Sequence, residues 1–184
     1  MTMNEGFVNF TTNLENTNFI FSTNFAGDPS KDKYNDSRRK ANILVPRSQV
    51  EDLRAKGVNV RETRPREFDD PNDYNPDYFV LAQVKYRKRD GSLVKYPPKV
   101  YLVVGNNAPV LLDEDSIGVL DTIRVKNVNA VLSPYVTDGA QGRRISMYVR
   151  VMYVEQDLSD DPYADLYRRA NETNPDFDPE DAPF

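Results

Sequence analysis

RRISMYVRVMYV, residues 143–154, is the stretch on which the fold turns. Its odd positions (Ile145, Met147, Val149, Val151, Tyr153) are apolar or aromatic, and its even positions begin Arg144, Ser146, Tyr148, Arg150. A period of two places successive side chains on opposite faces of an extended strand. One face is therefore expected to enter a core. The other presents a cation, an aromatic ring and a second cation, each two residues from the next.

Working outward, the same alternation recurs. Residues 78–88 read as a strand with Val80, Ala82 and Val84 on one face and Gln83, Lys85 and Arg87 on the other. Asp90-Gly91 is a two-residue hairpin signal, and the return strand over 93–96 is broken by Pro97-Pro98. Residues 99–104 set Lys99 and Tyr101 against Val100, Leu102 and Val104, and 110–112 form a short strand after the Gly105-Asn106-Asn107 turn. Over 120–132, Ile123 and Val125 oppose Arg124 and Lys126, and Ser133-Pro134-Tyr135 is expected to open a loop to Gly142.

Towards the N-terminus, 18–25 alternates with Phe19, Phe21, Thr23 and Phe25 on one face, read as core. A polar loop over 27–40 ends in Arg38-Arg39-Lys40, and the short strand Ile43-Leu44-Val45 stops at Pro46. Ser48-Gln49-Val50-Glu51 has the form of a capping box, in which the hydroxyl accepts from a free N–H and the Glu reaches back. A helix is expected from there to about Lys56, with Gly57 as its stop. Residues 61–76 are dense in charge and Pro and read as a binding loop or an insert. Residues 1–16 are expected to be a loose arm.

Several short strands, a small helix and long loops suit a mainly β fold that hides its edges by closure. The expected architecture is a five-stranded barrel of the oligonucleotide-binding (OB) type over 17–156, with a β-sandwich as the second choice. A short helix is expected within 157–170 and a disordered acidic tail over 171–184.

The chain of 184 residues has no Cys and no His. Disulfides, thiolate or imidazole metal sites and His-assisted nucleophiles are thereby excluded within it. No basic leader and no long apolar run is visible, so a soluble, cytoplasmic protein without a membrane partner is expected. The net charge is −5, but it is unevenly spread. From Glu155 onward there are ten acids and two bases, whereas residues 1–154 hold 19 acids and 22 bases. A basic-leaning body joined to an acidic end points to a nucleic-acid partner.

The polar strand faces say what that partner is. The hairpin supplies Lys85, Tyr86, Arg87, Lys88 and Arg89, then Lys95 and Tyr96; the next strand adds Lys99 and Tyr101. Arg124 and Lys126 follow, then Arg143, Arg144, Tyr148 and Arg150, with Arg38, Arg39 and Lys40 from the earlier loop. Lys, Arg and Tyr are ordinary on an exposed sheet face. Here several strands repeat the mixture while acids are scarce in them. Single-stranded nucleic acid needs this combination, since cations follow phosphates and aromatic faces stack on any base.

The last stretch, NETNPDFDPEDAPF over 171–184, carries Glu172, Asp176, Asp178, Glu180 and Asp181, three prolines and a terminal Phe184. It cannot bury enough apolar surface to offset chain entropy. Its tip, Asp181-Ala182-Pro183-Phe184, resembles the acidic, Phe-ended tail of bacterial and phage single-stranded DNA-binding proteins. LLDEDSIGVLDTIRVKNV (111–128) and the strand over 143–154 resemble the phage-type members. The resemblance implies an OB fold, sequence-independent binding of single-stranded DNA, and roles in replication, recombination and repair. It also implies tail contacts with replication proteins such as DNA polymerase or helicase-primase. Only Phe184, Asp176, Asp178, Glu180 and Asp181 carry over to a family motif. A departure is the absence of Trp, which leaves stacking to Tyr and Phe.

A basic groove and an acidic tail on one chain can also bind each other. A tethered tail has a local concentration on the order of millimolar, so it would compete with DNA. No cofactor, metal or catalytic residue is implied, and a homodimer is left open. An enzyme using Asp113, Glu114, Asp115 and Asp121 to hold a metal is the first alternative, against which that cluster reads as a solvated acidic loop. A nucleic-acid-mimicking inhibitor should be acidic on its body, and this body leans basic. A structural interaction protein would be indifferent to DNA.

Overall fold

The computed structural model describes residues 6–7, 10–140 and 142–158. Its centre is the hairpin of β9 (Val125–Gly139) and β10 (Gly142–Gln156), in register from Gly142 opposite Gly139 to Gln156 opposite Val125. Contrary to the expected loop, β9 runs through Ser133-Pro134-Tyr135. The pairing of β9 with β2 (Thr12–Thr17) ends at Leu132, and that with β1 (Gly6–Phe7) begins at Tyr135. Pro134 sits between them, where a missing donor interrupts no continuous ladder on that side.

On its other edge β10 pairs in parallel with β6 (Tyr78–Val84) and then with β7 (Lys99–Val103). β6 is antiparallel to β4 (Arg39–Val45), and β4 to β3 (Phe19–Asn24). Only Asn18 separates β2 from β3. The Leu44 N–H donates to the Asn18 carbonyl (2.9 Å), while the Asn18 carboxamide donates to the Val125 carbonyl (3.0 Å). The bent β2–β3 segment therefore joins β9 to β4 and brings the pairings back to their start. Counting β2–β3 as one strand, the ring runs first, second, third, fifth, fourth, first, with third and fifth parallel. This is the OB barrel. Short β1, β5 (Arg61–Glu62) and β8 (Val110–Leu112, paired with β7) are added at its margins.

The interior collects Leu14, Ile43, Val80, Leu132, Val128 and Met152, with Ile117 and Leu120 entering from a 3-10 helix, Ile117–Asp121. The helix α1, Arg47–Ala55, packs Val50 and Leu53 inward. It ends as read: Gly57 (φ 89°) donates to the Arg54 carbonyl and Val58 to that of Leu53, a Schellman closure. Its start differs. Pro46 is the N-cap and makes no side-chain cap, so Ser48 lies two positions too far inside the helix to form the capping box.

Three strand readings need correction. The arm expected over 1–16 contains β2, because Leu14 and the buried Thr12 seat an otherwise polar, exposed segment against β9. β3 loses its alternation at a register shift between Ile20 and Asn24, with Phe21 at φ 63°; Phe25 is buried but Phe21 is 62% exposed. β10 contains a bulge between Val149 and Val151. Met147 and Val149 face inward before it, Met152 and Val154 after it. One extra residue thus exchanges the two faces, and Tyr153 points outward to stack on Tyr101 at 4.6 Å.

The loop over 61–76 is closed at its base by β5 and by a 2.6 Å hydrogen bond between the Thr63 and Tyr74 hydroxyls. Apart from Asp157 and Leu158, the helix expected within 157–170 and the tail over 171–184 lie outside the described residues. Among the described residues, no helix is long and apolar enough to cross a membrane.

Candidate nucleic-acid interface

Cross-strand partners share a face of a sheet. The register sets Lys40 beside Gln83, Gln83 beside Tyr148, and Tyr148 beside Ser133. One outer face thus spans β4, β6, β10 and β9. At its edge the chain leaves β6 and folds back as the 85–98 hairpin. Val94 N–H donates to the Tyr86 carbonyl (2.9 Å), Lys88 N–H to that of Ser92 (2.7 Å), and Gly91 turns at φ 88°.

Between hairpin and barrel lies a cleft of about 410 Å³, lined by Lys85, Lys88, Val94, Lys95, Tyr96, Pro98, Tyr135, Tyr148, Val149 and Arg150. Tyr96 is 70% exposed, with the Lys95 ammonium 5.3 Å from its ring centre. Tyr148 meets Tyr135 edge to face at 6.0 Å. Burial pushes the Tyr148 phenol upward, and Tyr135 adds to this while Arg38 opposes it. The cleft therefore holds four cations and three tyrosines without a carboxylate in its lining. Chemically it can pair with phosphates and stack on flat rings.

Six residues of the sequence reading meet here: Lys85, Lys88, Lys95, Tyr96, Tyr148 and Arg150. Tyr135 was missed because Pro134 suggested a loop. The signal was present, since the alternation of Val131, Ser133, Tyr135 and Thr137 with Leu132, Pro134 and Val136 never breaks. Arg143 and Arg144 are exposed on the hairpin arm beyond the cleft, and Arg89 lies at the tip of the neighbouring turn.

Other residues of that reading are placed elsewhere. Tyr86 is a correction: its ring is 8% exposed, and among the described residues its hydroxyl has no hydrogen-bond partner. Tyr86 continues the inward row of Val80, Ala82 and Val84, and grouping it with the neighbouring hairpin cations overlooked that alternation. Burial drives its phenol up to about 12. Arg87 is taken by Glu114 (2.6 Å) and the Gly91 carbonyl (2.9 Å). Arg39 donates to the Phe25 carbonyl (2.6 Å) and lies over the Tyr86 ring, while Lys40 is bound to the buried Asp32. Lys126 faces Glu155 at 3.7 Å. Arg38 is bonded to Asp36. Lys99 and Arg124 are exposed, and Tyr101 is packed on Tyr153, none of them lining the cleft.

Three of the four acidic residues weighed as metal ligands have other partners. Asp113 accepts from the Ser116 hydroxyl and N–H, which hold its carboxyl below the usual range; Arg87 does the same for Glu114. Asp121 accepts from the Thr23 hydroxyl and from the N–H groups of Phe25 and Ala26 (2.7–2.8 Å). It thereby pins the loop after β3 to the barrel. No group of three or more metal-ligating side chains occurs among the described residues.

A family model described as "Putative phage ssDNA-binding domain" matches residues 8–183. The chain belongs to this phage ssDNA-binding family. Among solved structures, it is similar to a C-terminally truncated single-stranded DNA-binding protein of bacteriophage Enc34, at TM-score 0.48 and 11% identity over 80% of this chain and 86% of that one. The same phage protein in complex with ssDNA gives 0.46 and 9% over 80% and 86%. Gp2.5, a single-stranded DNA-binding protein encoded by bacteriophage T7, gives 0.33 and 12% over 85% and 93%. No curated protein matches the sequence.

Proposed function

We propose that this protein binds single-stranded DNA without sequence preference, as a non-catalytic component of phage DNA replication, recombination and repair. The observation that carries the reading is the cleft in which Lys85, Lys88, Lys95 and Arg150 surround Tyr96, Tyr135 and Tyr148. In OB barrels the ligand face is formed by the second and third strands with the loops joining strands one to two and four to five. Here those are β4, β6, the loop over 25–38 and the β9–β10 arm, and the cleft adjoins them. Family membership supports the same ligand.

In this reading the acidic end acts on the cleft. Asp176, Asp178, Glu180, Asp181 and Phe184 compete with DNA for the cleft and occupy it when DNA is absent. When DNA is bound, they are released to recruit replication proteins such as polymerase or helicase-primase in the host cytoplasm. A homodimer is compatible with this scheme.

The experiment is fluorescence anisotropy with a labelled oligo-dT strand, for the full chain and for a chain ending at Ala170, across a salt series. Salt-sensitive binding that tightens on truncation is expected. Binding unchanged by truncation would remove the competition and leave the cleft. No binding by either form at low salt would overturn the reading.

A further inference from the structure

Phe21 is a bulky aromatic in a backbone region that L residues avoid. Its φ is 63°, it lies within the register shift between β3 and β4, and 62% of its surface is exposed. Its ring meets Phe79 edge-on at 5.2 Å. Burial does not account for an exposed ring on a strained backbone. Strain of this kind collects where a side chain must be presented to a ligand.

Phe21 overlooks a groove of about 740 Å³, bounded also by Asn42 on β4, Leu81 on β6 and Ile123 before β9. Asn42 pairs in register with Leu81, and Lys40 with Gln83, the neighbour of Tyr148. The groove therefore continues the outer face that reaches the basic cleft, on the opposite side of β6. Its electrostatics differ. Lys40 is bound to Asp32, whose side chain is 1% exposed, and Lys31 lies 3.9 Å from Asp121. Both cations already have a carboxylate beside them, which makes this a poor phosphate site. Among the described residues the Asn42 carboxamide has no hydrogen-bond partner, so its donors and acceptor face the groove uncommitted. An exposed ring, an apolar wall and one uncommitted amide suit a flat heteroaromatic with a polar edge.

We propose that Phe21 stacks an unpaired nucleobase of the strand whose phosphates lie in the basic cleft. The inference rests on the single-stranded DNA reading and extends it. It divides recognition between a cleft that holds the backbone and a neutral groove that holds a base.

The sequence contains no Trp, so Phe21→Trp places a sole indole at the site. Titrated with oligo-dT, the full-length variant should lose indole emission. Phe68→Trp, at a position 95% exposed on the 61–76 loop, should not. Phe21→Ala should weaken binding by about 5- to 150-fold, the range for one lost base–aromatic stack. The slope of log K against log salt should stay unchanged, because no phosphate contact is lost. Circular dichroism and the urea midpoint establish that all three variants fold. An unquenched indole, or a wild-type affinity for folded Phe21→Ala, overturns the proposal while leaving the cleft intact. Failure of the wild-type chain to bind oligo-dT removes the reading beneath it and is seen before any variant is made.

Discussion

At the scale of the residue, Tyr86 shows how a polar atom can oppose the fold that encloses it. Its ring fills core, but its hydroxyl is buried without a described partner. Such a group forfeits its hydration, at about 1–3 kcal/mol. Tyr86→Phe should therefore match or exceed the wild-type stability at pH 8, by up to about 1 kcal/mol in urea unfolding. The pH dependence has a definite sign. The folded phenol titrates near 12 rather than 10, so stability is unaffected by this group below pH 10 and falls as pH rises towards 12, where the unfolded phenol ionises and the folded one does not. The wild type should weaken by about 1.4 kcal/mol per pH unit over that window, and Tyr86→Phe should lack this component. Equal alkaline limbs for the two proteins would contradict the buried phenol.

Lys40 and Asp32 pose the opposite case, a charge enclosed with its partner. Lys40, then the Tyr34 N–H, hold the Asp32 carboxyl below its ordinary value. The stability this gives is present above the unfolded value and lost as pH falls through the lower folded one. Asp32→Asn should flatten the acid limb of a urea-midpoint profile below about pH 4. At neutral pH, Lys40→Met should destabilise more than the double variant Asp32→Asn/Lys40→Met, because the single change leaves a buried carboxylate alone. A double variant no more stable than Lys40→Met would show that the pair is not enclosed.

At the scale of the element, cations that look equivalent in sequence separate by what surrounds them. Lys95 lines the cleft, while Arg87, eight positions earlier, is clamped by Glu114 across the hairpin. Lys95→Ala should reduce the salt slope of oligo-dT binding by about 0.7. Arg87→Ala should leave that slope nearly unchanged and act instead on hairpin stability. Equal slopes for both variants would mean that the cleft is not where phosphates lie.

Elements were legible where periodicity met no interruption. The inward rows of β6 and β7 and the Gly57 stop could be read directly, whereas β4 starts at Arg39, inside the stretch expected as a loop. Reading failed where geometry changed without a change in composition. The bulge at Arg150 reverses the faces of β10 inside an unbroken run of strand formers. The shift at Phe21 leaves the aromatic pattern intact in sequence while breaking it in space. Pro134 gave the opposite error, a breaker tolerated because its neighbours change there. For the candidate cleft, cation and ring types were legible. Their separation from Arg87, Arg39 and Lys40 was not, because it depends on partners brought close only by the fold, Glu114, the Phe25 carbonyl and Asp32.

At the scale of the whole molecule, the ring turns from its β9 ladder to its β4 ladder at Asn18. The Asn18 carboxamide accepts from Phe19 N–H (2.7 Å) and donates to Val125 (3.0 Å), beside the backbone bond from Leu44. Asn18→Ala removes the side-chain links while leaving the backbone one. It should lower stability by about 1–3 kcal/mol while keeping a single unfolding transition by both far- and near-ultraviolet circular dichroism. Loss of coincidence between the two probes would show that the ring opens locally.

The order of pairing also has a consequence for how the protein is born. β10 is the last strand of the barrel to be synthesised, yet it bonds to β9, β6 and β7. Until residue 156 has left the ribosome, β6 lacks its inner neighbour and the N-terminal β2–β3 segment has no ring to close. The nascent chain must therefore wait with open strand edges, and its folding is completed by contacts distant in sequence, β10 with β6 and β2 with β9, the slow regime for small domains. Protection of those edges during translation is a demand that this topology places on the cell producing it.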